Sequence, residues 1–174
     1  MQVSHLRQHT RYQPTMTLQK ILSSTSQLKK TNLNVTVPTT IDFTFKSDGT
    51  NILPTLPIVN HSIADIKLLN ISLDNSQAAT PEKWTIADYA TFNKNIGVNT
   101  YQLGLQAHMG ETTQAFSATN NHLSTATFNK VIPVANDIAT GTTQNITFDV
   151  KHGAFTNIVN AEKAFDVTFS FDFA

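Results

Sequence analysis

The chain has 174 residues, no cysteine, a formal net charge of zero and only 14% charged residues. This length suits a single domain, and the absence of cysteine excludes a disulfide framework, a thiol nucleophile and a cysteine-ligated metal site. The 26 Thr and 16 Asn residues disfavour a helical protein, while 11 Phe residues supply enough apolar surface for a core and argue against disorder.

Residues 1–30 form a basic arm. They contain five cationic side chains and no acid, whereas residues 31–174 hold seven Lys and twelve acids, so a charge of +5 precedes a body of −5. The apolar residues of the arm fit neither strand nor helix periodicity, which indicates either a segment that orders against a partner or a solvated terminus. The arm residues expected to act in assembly are its cations and larger apolar side chains: Arg7, Arg11, Leu18, Lys20, Ile21, Leu22, Leu28, Lys29 and Lys30.

Two strands are predicted to open the body. LNVTVP places Leu33, Val35 and Val37 on one side, and IDFTFK repeats this alternation before the turn SDGTN. The following Pro54 and Pro57 lack backbone N–H groups, so this stretch is predicted to lie at a sheet edge or in an extended connection.

The next predicted strand, DIKLLNISLDNS, changes its periodicity in the middle. Its apolar residues are even-numbered at Ile66 and Leu68 and odd-numbered at Ile71 and Leu73, which predicts a β-bulge near Leu68. EKWTIADYATF follows, where a short helix competes with a strand and Trp84 is expected in the core.

Three more strands are predicted before the closing segment. YQLGLQAHM alternates cleanly, ATFNKVIPVAND is interrupted by Pro133, and NITFDVKH places Ile146, Phe148 and Val150 together. The polar stretch ETTQAFSATNNH between the first two is predicted to be a loop or hairpin tip.

The closing segment FDVTFSFDFA has the most regular alternation in the chain. Phe169 and its apolar neighbours are predicted to face inward, with Thr168 and the other polar residues outward. Burial of five such side chains contributes on the order of 10 kcal/mol, which favours a central position in the fold. The sequence thus predicts an all-β fold of two antiparallel sheets, an immunoglobulin-like or jelly-roll β-sandwich over residues 31–174, with the arm as an N-terminal extension.

No catalytic, cofactor or metal site is predicted. Of the six His residues, His5 and His9 are four apart, but no third ligand or HExxH pattern accompanies them. Glu111 is a weak candidate partner for His108, and no phosphate-binding loop or nucleophile motif occurs. We therefore expect a protein that is not an enzyme and has no small-molecule substrate. The longest apolar runs are far shorter than the roughly 20 residues of a membrane span. Four Asn-x-Ser/Thr triplets, at Asn34, Asn60, Asn70 and Asn145, matter only in a glycosylated secreted protein.

Several segments together resemble a known group of proteins. VTVPTTIDFTFKSDGT, IVNHSIADIKLLNISL, Trp84 and the closing FDVTFSFDFA resemble the secreted β-sandwich surface proteins of Gram-positive bacteria, of the camelysin and TasA fibre-subunit type and more loosely the WxL wall-binding domains. The resemblance extends over residues 33–174. It implies an extracellular or cell-surface, non-enzymatic subunit that polymerises or adheres.

The favoured function is a structural subunit of an extracellular filament or surface layer. The arm is its predicted donor segment for β-strand addition to a neighbouring copy of the same chain, so the expected partner is the protein itself. One alternative is a jelly-roll capsid or virion subunit, whose basic arm contacts nucleic acid. A second alternative is a carbohydrate-binding adhesin.

Overall fold

The computed structural model describes residues 15–20, 31–45, 51–76, 84–155 and 164–174, and the regular structure within them is β-strand. No helix in these ranges is long and apolar enough to cross a membrane. The strands, in chain order, are β1 Thr15–Lys20, β2 Thr31–Thr36, β3 Thr44–Phe45, β4 Asn51–Ile52, β5 Leu56–Asn60, β6 Ile66–Asp74, β7 Thr85–Ala87, β8 Gln102–Met109, β9 Thr112–Ala115, β10 Ser117–Ala118, β11 Leu123–Ile132, β12 Thr142–His152 and β13 Asp166–Phe173.

These strands form two sheets that pack face to face. The large sheet has the order β1-β2-β5-β12-β8-β7, with β9 also paired to β8, and the small sheet has the order β10-β11-β6-β13. β3 and β4 form a separate hairpin. This arrangement confirms the predicted all-β sandwich. It departs from a purely antiparallel design at one place, because β7 runs parallel to β8.

The core lies between the sheets and follows the period-two pattern of the strands. In β8 the residues Leu103, Leu105, Ala107 and Met109 are buried, as predicted, and Gln106 and His108 between them are more exposed, whereas Gly104 is buried as well. Phe116 was expected in a loop, but it is 1% exposed and lies between β9 of the large sheet and β10 of the small one. The strands on either side of Phe116 are short and polar, so they lack an apolar alternation from which they could be predicted.

The predicted bulge in β6 is confirmed. Against β13, Asn70 pairs with Ser170 and Leu68 with Phe171, so Leu69 is the extra residue. On the other side the ladder to β11 shifts at the same point, where Asn129 adopts a left-handed φ of 49°. The bulge lets Ile66, Leu68 and Ile71 all reach the core in spite of their change in parity.

The prediction that Pro54 and Pro57 lie at a sheet edge or in an extended connection is confirmed for Pro54, which lies in the connection between β4 and β5, whereas Pro57 lies within β5. β5 lies between β2 and β12, in the interior of the large sheet. Its ladder to β2 contains only Val35 with Asn60 and Thr36 with Val59, so it ends before Pro57. The missing N–H of Pro57 therefore faces a side on which no ladder bond is required, and β5 is locally an edge there.

The closing strand β13 has the predicted faces but not the predicted position. Phe169 is buried and Thr168 is exposed, while Val167, Phe171 and Phe173 are partly buried against the core. β13 is the last strand of the small sheet, so its central placement was wrong. A strand can bury one face without having a neighbour on both edges, and apolar alternation reports only the face.

Asn60 joins three segments at one end of the sandwich. Its fully buried side-chain amide lies 3.1 Å from each of the carbonyl oxygens of Ala64, Ile132 and Pro133. Its Oδ1 accepts the Ser62 N–H at 2.8 Å. The end of β5, the turn that follows and the end of β11 are thereby fixed to one another, and the Asn60 triplet is closed to modification in the folded protein.

Trp84 is buried, as predicted, but it belongs to an aromatic cluster at the opposite end of β12 rather than to the main core. Its ring packs on Phe45, Tyr101 and Phe155, with ring centroids 5.1 to 6.0 Å from its own. Its carbonyl accepts a hydrogen bond of 2.8 Å from Asn75. The following residues form β7 instead of the competing short helix.

Candidate functional site: two strand edges on one side of the sandwich

The first candidate edge is β1, which comes from the arm. It pairs antiparallel with β2 along its whole length, with Leu18 opposite Leu33 and Lys20 opposite Thr31. β1 ends the order of the large sheet, and no strand among the described residues pairs with its outer side. The backbone of an outer strand directs a row of N–H and C=O groups away from the sheet, and this row is a template for another chain.

The structure places only two of the predicted assembly residues. Leu18 and Lys20 lie in β1. The other seven, Arg7, Arg11, Ile21, Leu22, Leu28, Lys29 and Lys30, lie outside the described residues, and their role in assembly stays a prediction.

β2 itself is held to the body independently of β1. The Asn34 carbonyl accepts bonds from the His61 N–H at 2.9 Å and the Ser62 hydroxyl at 3.2 Å, and the Asn34 N–H donates to the same hydroxyl at 2.9 Å. These bonds add to the short ladder between β2 and β5. We therefore expect β2 to stay attached to the body when β1 is lost, since these bonds and this ladder do not involve the arm.

The second candidate edge is β13. Its inner side pairs with β6, and no described strand lies beyond it in the small sheet. The Phe173 N–H is bonded to the carboxylate of Asp172 at 2.8 Å, which closes the donor row at its end. The part of β13 before Phe173 is therefore the candidate for pairing with another chain.

The two edges lie on the same side of the molecule. Across the sandwich, β10 contacts β7, and β11 contacts β8, β9 and β12. The two sheets therefore run in the same sense from these strands, so that from β10 over β7 the small sheet proceeds towards β13 on the side on which the large sheet proceeds towards β2 and β1. The outer strands β1 and β13 thus end their two sheets on the same side of the sandwich.

The region around β13 is acidic. Asp166 lies directly opposite Asp74 in the ladder, and Asp172 lies opposite Lys67. Hydrogen bonds from Ser76, chiefly from its backbone N–H, lower the pKa of Asp74, and nearby His122 lowers it further. Asp74 therefore stays ionised at neutral pH, and this end of β13 carries the sign opposite to that of the arm.

A polar cluster on the outer face of the large sheet is the clearest grouping of titratable side chains. His108 bonds through Nε2 to Asp149 at 2.9 Å and through Nδ1 to the Thr113 hydroxyl at 2.8 Å, and Gln106 donates to the same carboxylate oxygen at 2.9 Å. The acid that contacts His108 is thus Asp149 of β12 rather than the suggested Glu111. Alternation places His108 and Asp149 on outward positions of their strands, but the sequence does not show that these strands are neighbours.

This cluster lowers the pKa of Asp149, first through the Gln106 hydrogen bond and then through His108. Beside it, the Lys151 ammonium donates to the Tyr89 carbonyl at 2.7 Å and lies 4.1 Å from the Tyr89 ring centroid. Partial burial, and secondarily the Asp149 charge, raise the pKa of Tyr89. The arrangement orients an imidazole on an exposed sheet surface and joins β8, β9 and β12. We assign it this structural role, because the carboxylate is 53% exposed and the cluster lies on an open strand surface.

No group of three or more His, Asp or Glu side chains in the described ranges is arranged to hold a metal ion. An open depression there, with a volume of about 530 Å³, is lined by Asp74, Ser76, Asn120, Asn121, His122 and Leu123. Several of its polar groups already bond to one another. Asn120 accepts from the backbone of His122 and Leu123 at 2.8 Å, and Asp74 accepts from Ser76 at 2.8 Å.

Comparison with known proteins adds no relative. No protein-family model, no curated protein and no solved structure matches the chain. The resemblance to camelysin- and TasA-type subunits therefore stays a prediction that depends on short sequence segments.

Proposed function

We propose that the chain is a structural subunit of an extracellular filament or surface layer, in which the basic arm of one copy adds as a β-strand to the next. The observation that supports this proposal is β1 itself. It is the one described piece of the arm, it lies at the outer edge of a sheet, and among the described strands it pairs with β2 alone. Strand addition uses main-chain hydrogen bonds, which any such strand can form with a second copy.

The chain between β1 and β2 is long enough for this exchange. Ten residues, 21 to 30, separate the two strands. A segment of that length spans up to about 35 Å when extended, so β1 can reach the surface of an adjacent copy while β2 stays in its own body. A contact between two different surfaces, repeated from copy to copy without closing, builds a filament.

The opposite charges of the two parts favour the same contact. The arm carries +5 and the body −5, so an arm from one copy is attracted to the body of another. Added salt screens this attraction but leaves the main-chain pairing intact. We therefore expect assembly to weaken with salt without being abolished.

Deletion of residues 1–30 tests the proposal. Because β2 keeps its bonds to His61 and Ser62, the truncated chain should fold, show β-type circular dichroism and sediment as a monomer. The full-length chain should form filaments or sheets by electron microscopy. A Leu18→Pro variant of the full chain, which removes one ladder N–H and keeps every charge of the arm, should also assemble poorly.

Three results would contradict the proposal. Normal polymers from the truncated chain would exclude the arm as donor, and a full-length chain that stays monomeric at all concentrations would exclude self-assembly. Nucleic acid that copurifies with shell-like particles at low salt would favour the capsid alternative instead.

A further inference from the structure

We propose that the acceptor of the arm is the free edge of β13 in a second copy of the chain, rather than the β2 strand with which the arm pairs in its own body. This proposal depends on the proposed function, since it names the partner surface of the same assembly. The sheet edges that the described residues leave open differ in length, regularity and charge.

The edges at the other side of the sandwich are short or irregular. β7, β9 and β10 contain three, four and two residues, which is too little for a long ladder. β11 lies inside β10 in the small sheet, but β10 covers only Ser124 and Thr125. The uncovered part of β11 is irregular, because its ladder to β6 shifts between Thr127 and Lys130, where Asn129 has a left-handed φ. Lys130 and the following Pro133 oppose pairing further. Short strands, bulges, Lys and Pro are the features by which natural sheets prevent edge pairing.

Apart from its two aspartates, β13 has none of these protections. It runs for eight residues, and the extra residue of the bulge belongs to β6, so β13 itself stays regular. It contains neither Lys nor Pro. Val167, Phe171 and Phe173 are only partly buried although they pack on the core. A strand added at this edge would cover more of their apolar surface, which favours its binding.

Charge selects the occupant of this edge. If two β13 strands paired antiparallel about Phe169, Asp166 of one copy would lie opposite Asp172 of the other, and like charges at directly opposed positions are destabilising. The arm has five cations and no acid, so it meets the same two aspartates with opposite charge. The β13 edge thus disfavours its own copy and favours the arm of a second one.

Cysteine cross-linking tests this acceptor directly, because the chain has no cysteine of its own and every introduced thiol is unique. One full-length variant carries Thr17→Cys in β1, and a second carries Thr168→Cys at an exposed position of β13. Mixed in equal amounts and treated with a short bis-maleimide, they should give a heterodimer band that neither gives alone. The control replaces the second variant by Asn34→Cys, because Asn34 is the register partner of Thr17 on β2.

The outcomes separate this proposal from the proposed function. Cross-links between the Thr17→Cys and Thr168→Cys chains support the β13 acceptor. Polymers in which the arm thiol links to Asn34→Cys of another chain, or in which it does not link to β13, overturn this acceptor and leave the proposed function intact. If the chain neither polymerises nor cross-links, both fail.

A variant that removes one charge of β13 without changing the fold supplies a second measurement. Asp172→Asn keeps an oxygen at the position that accepts the Phe173 N–H but removes the charge. Loss of one surface ion pair at the contact should raise the critical concentration for assembly by about two- to fivefold at low salt. The control is Asp42→Asn, at an exposed position outside the strands, which should leave it unchanged. Equal values for the two variants would overturn a contact at β13.

Discussion

Replacement of Asn60 by Ala should be among the most damaging single changes at a polar position. The substitution removes an amide whose two N–H groups serve three carbonyl oxygens at 3.1 Å, and an oxygen that accepts the Ser62 N–H at 2.8 Å. The bonds to Ile132 and Ser62 are buried, so water does not replace the lost partner. The end of β11 and the turn after β5 lose their common attachment.

The size of the effect follows from these two buried groups. Each buried donor or acceptor left without a partner costs about 1–3 kcal/mol, so Asn60→Ala should destabilise the fold by about 4 kcal/mol. That is a large part of the roughly 5–15 kcal/mol by which a domain is stable. For a chain of this length it corresponds to a Tm lower by about 8–16 °C.

Thermal and urea unfolding of matched variants measure this effect. Asn145→Ala is the control, because Asn145 lies at an exposed position of β12, where a substitution changes stability by about 0.5 kcal/mol or less. Asn60→Asp keeps the shape and the acceptor for Ser62 but loses both donors, so at neutral pH it should be at least as damaging as Asn60→Ala. Equal stability of the Asn60→Ala and Asn145→Ala variants would refute the role of Asn60.

Two further predictions concern the strand faces and the outer polar cluster. Phe169→Asp should destabilise the protein by several kcal/mol, whereas exposed Thr168→Asp should change stability little, and equal melting temperatures would contradict the assigned faces of β13. Because the pKa of Asp149 is lowered in the folded state, its contribution to stability is present above its unfolded pKa and is lost as the pH falls through the folded value. Gln106→Ala should therefore raise the pKa of Asp149, and His108→Ala should raise it by less. NMR titration of the Asp149 carboxylate measures both changes, and an unchanged pKa would exclude these hydrogen bonds as the cause of the lowered pKa.

The sequence predicted those features that depend on which face of a strand is apolar. The sandwich, the inward residues of β8 and β13, and the change of parity in β6 all follow from a period of two, which burial on one side of a sheet imposes. The bulge was visible for the same reason, since Ile66 and Ile71 cannot share a face without an extra residue.

The features that the sequence did not predict depend on which strands lie side by side in a sheet. The edge position of β13, the interior position of β5 with Pro57, and the contact of His108 with Asp149 are all set by which strand pairs with which. Strand order arises from contacts between residues far apart in the chain, and these leave no periodic trace. The strands around Phe116 were missed because each has four residues or fewer.

The bulge at Leu69 divides β6 into two segments in which side chains of opposite parity face the core. Residues before it send even-numbered side chains into the core, and residues after it send odd-numbered ones. Deletion of Leu69 would shift the phase of one segment against the other, so that either Ile66 and Leu68 or Ile71 and Leu73 faced water. The length of this strand is therefore constrained more tightly than its composition. An apolar residue in β6 tolerates exchange for another of similar volume, whereas a change in length by one residue would invert half of the strand, and β6 pairs with both β11 and β13.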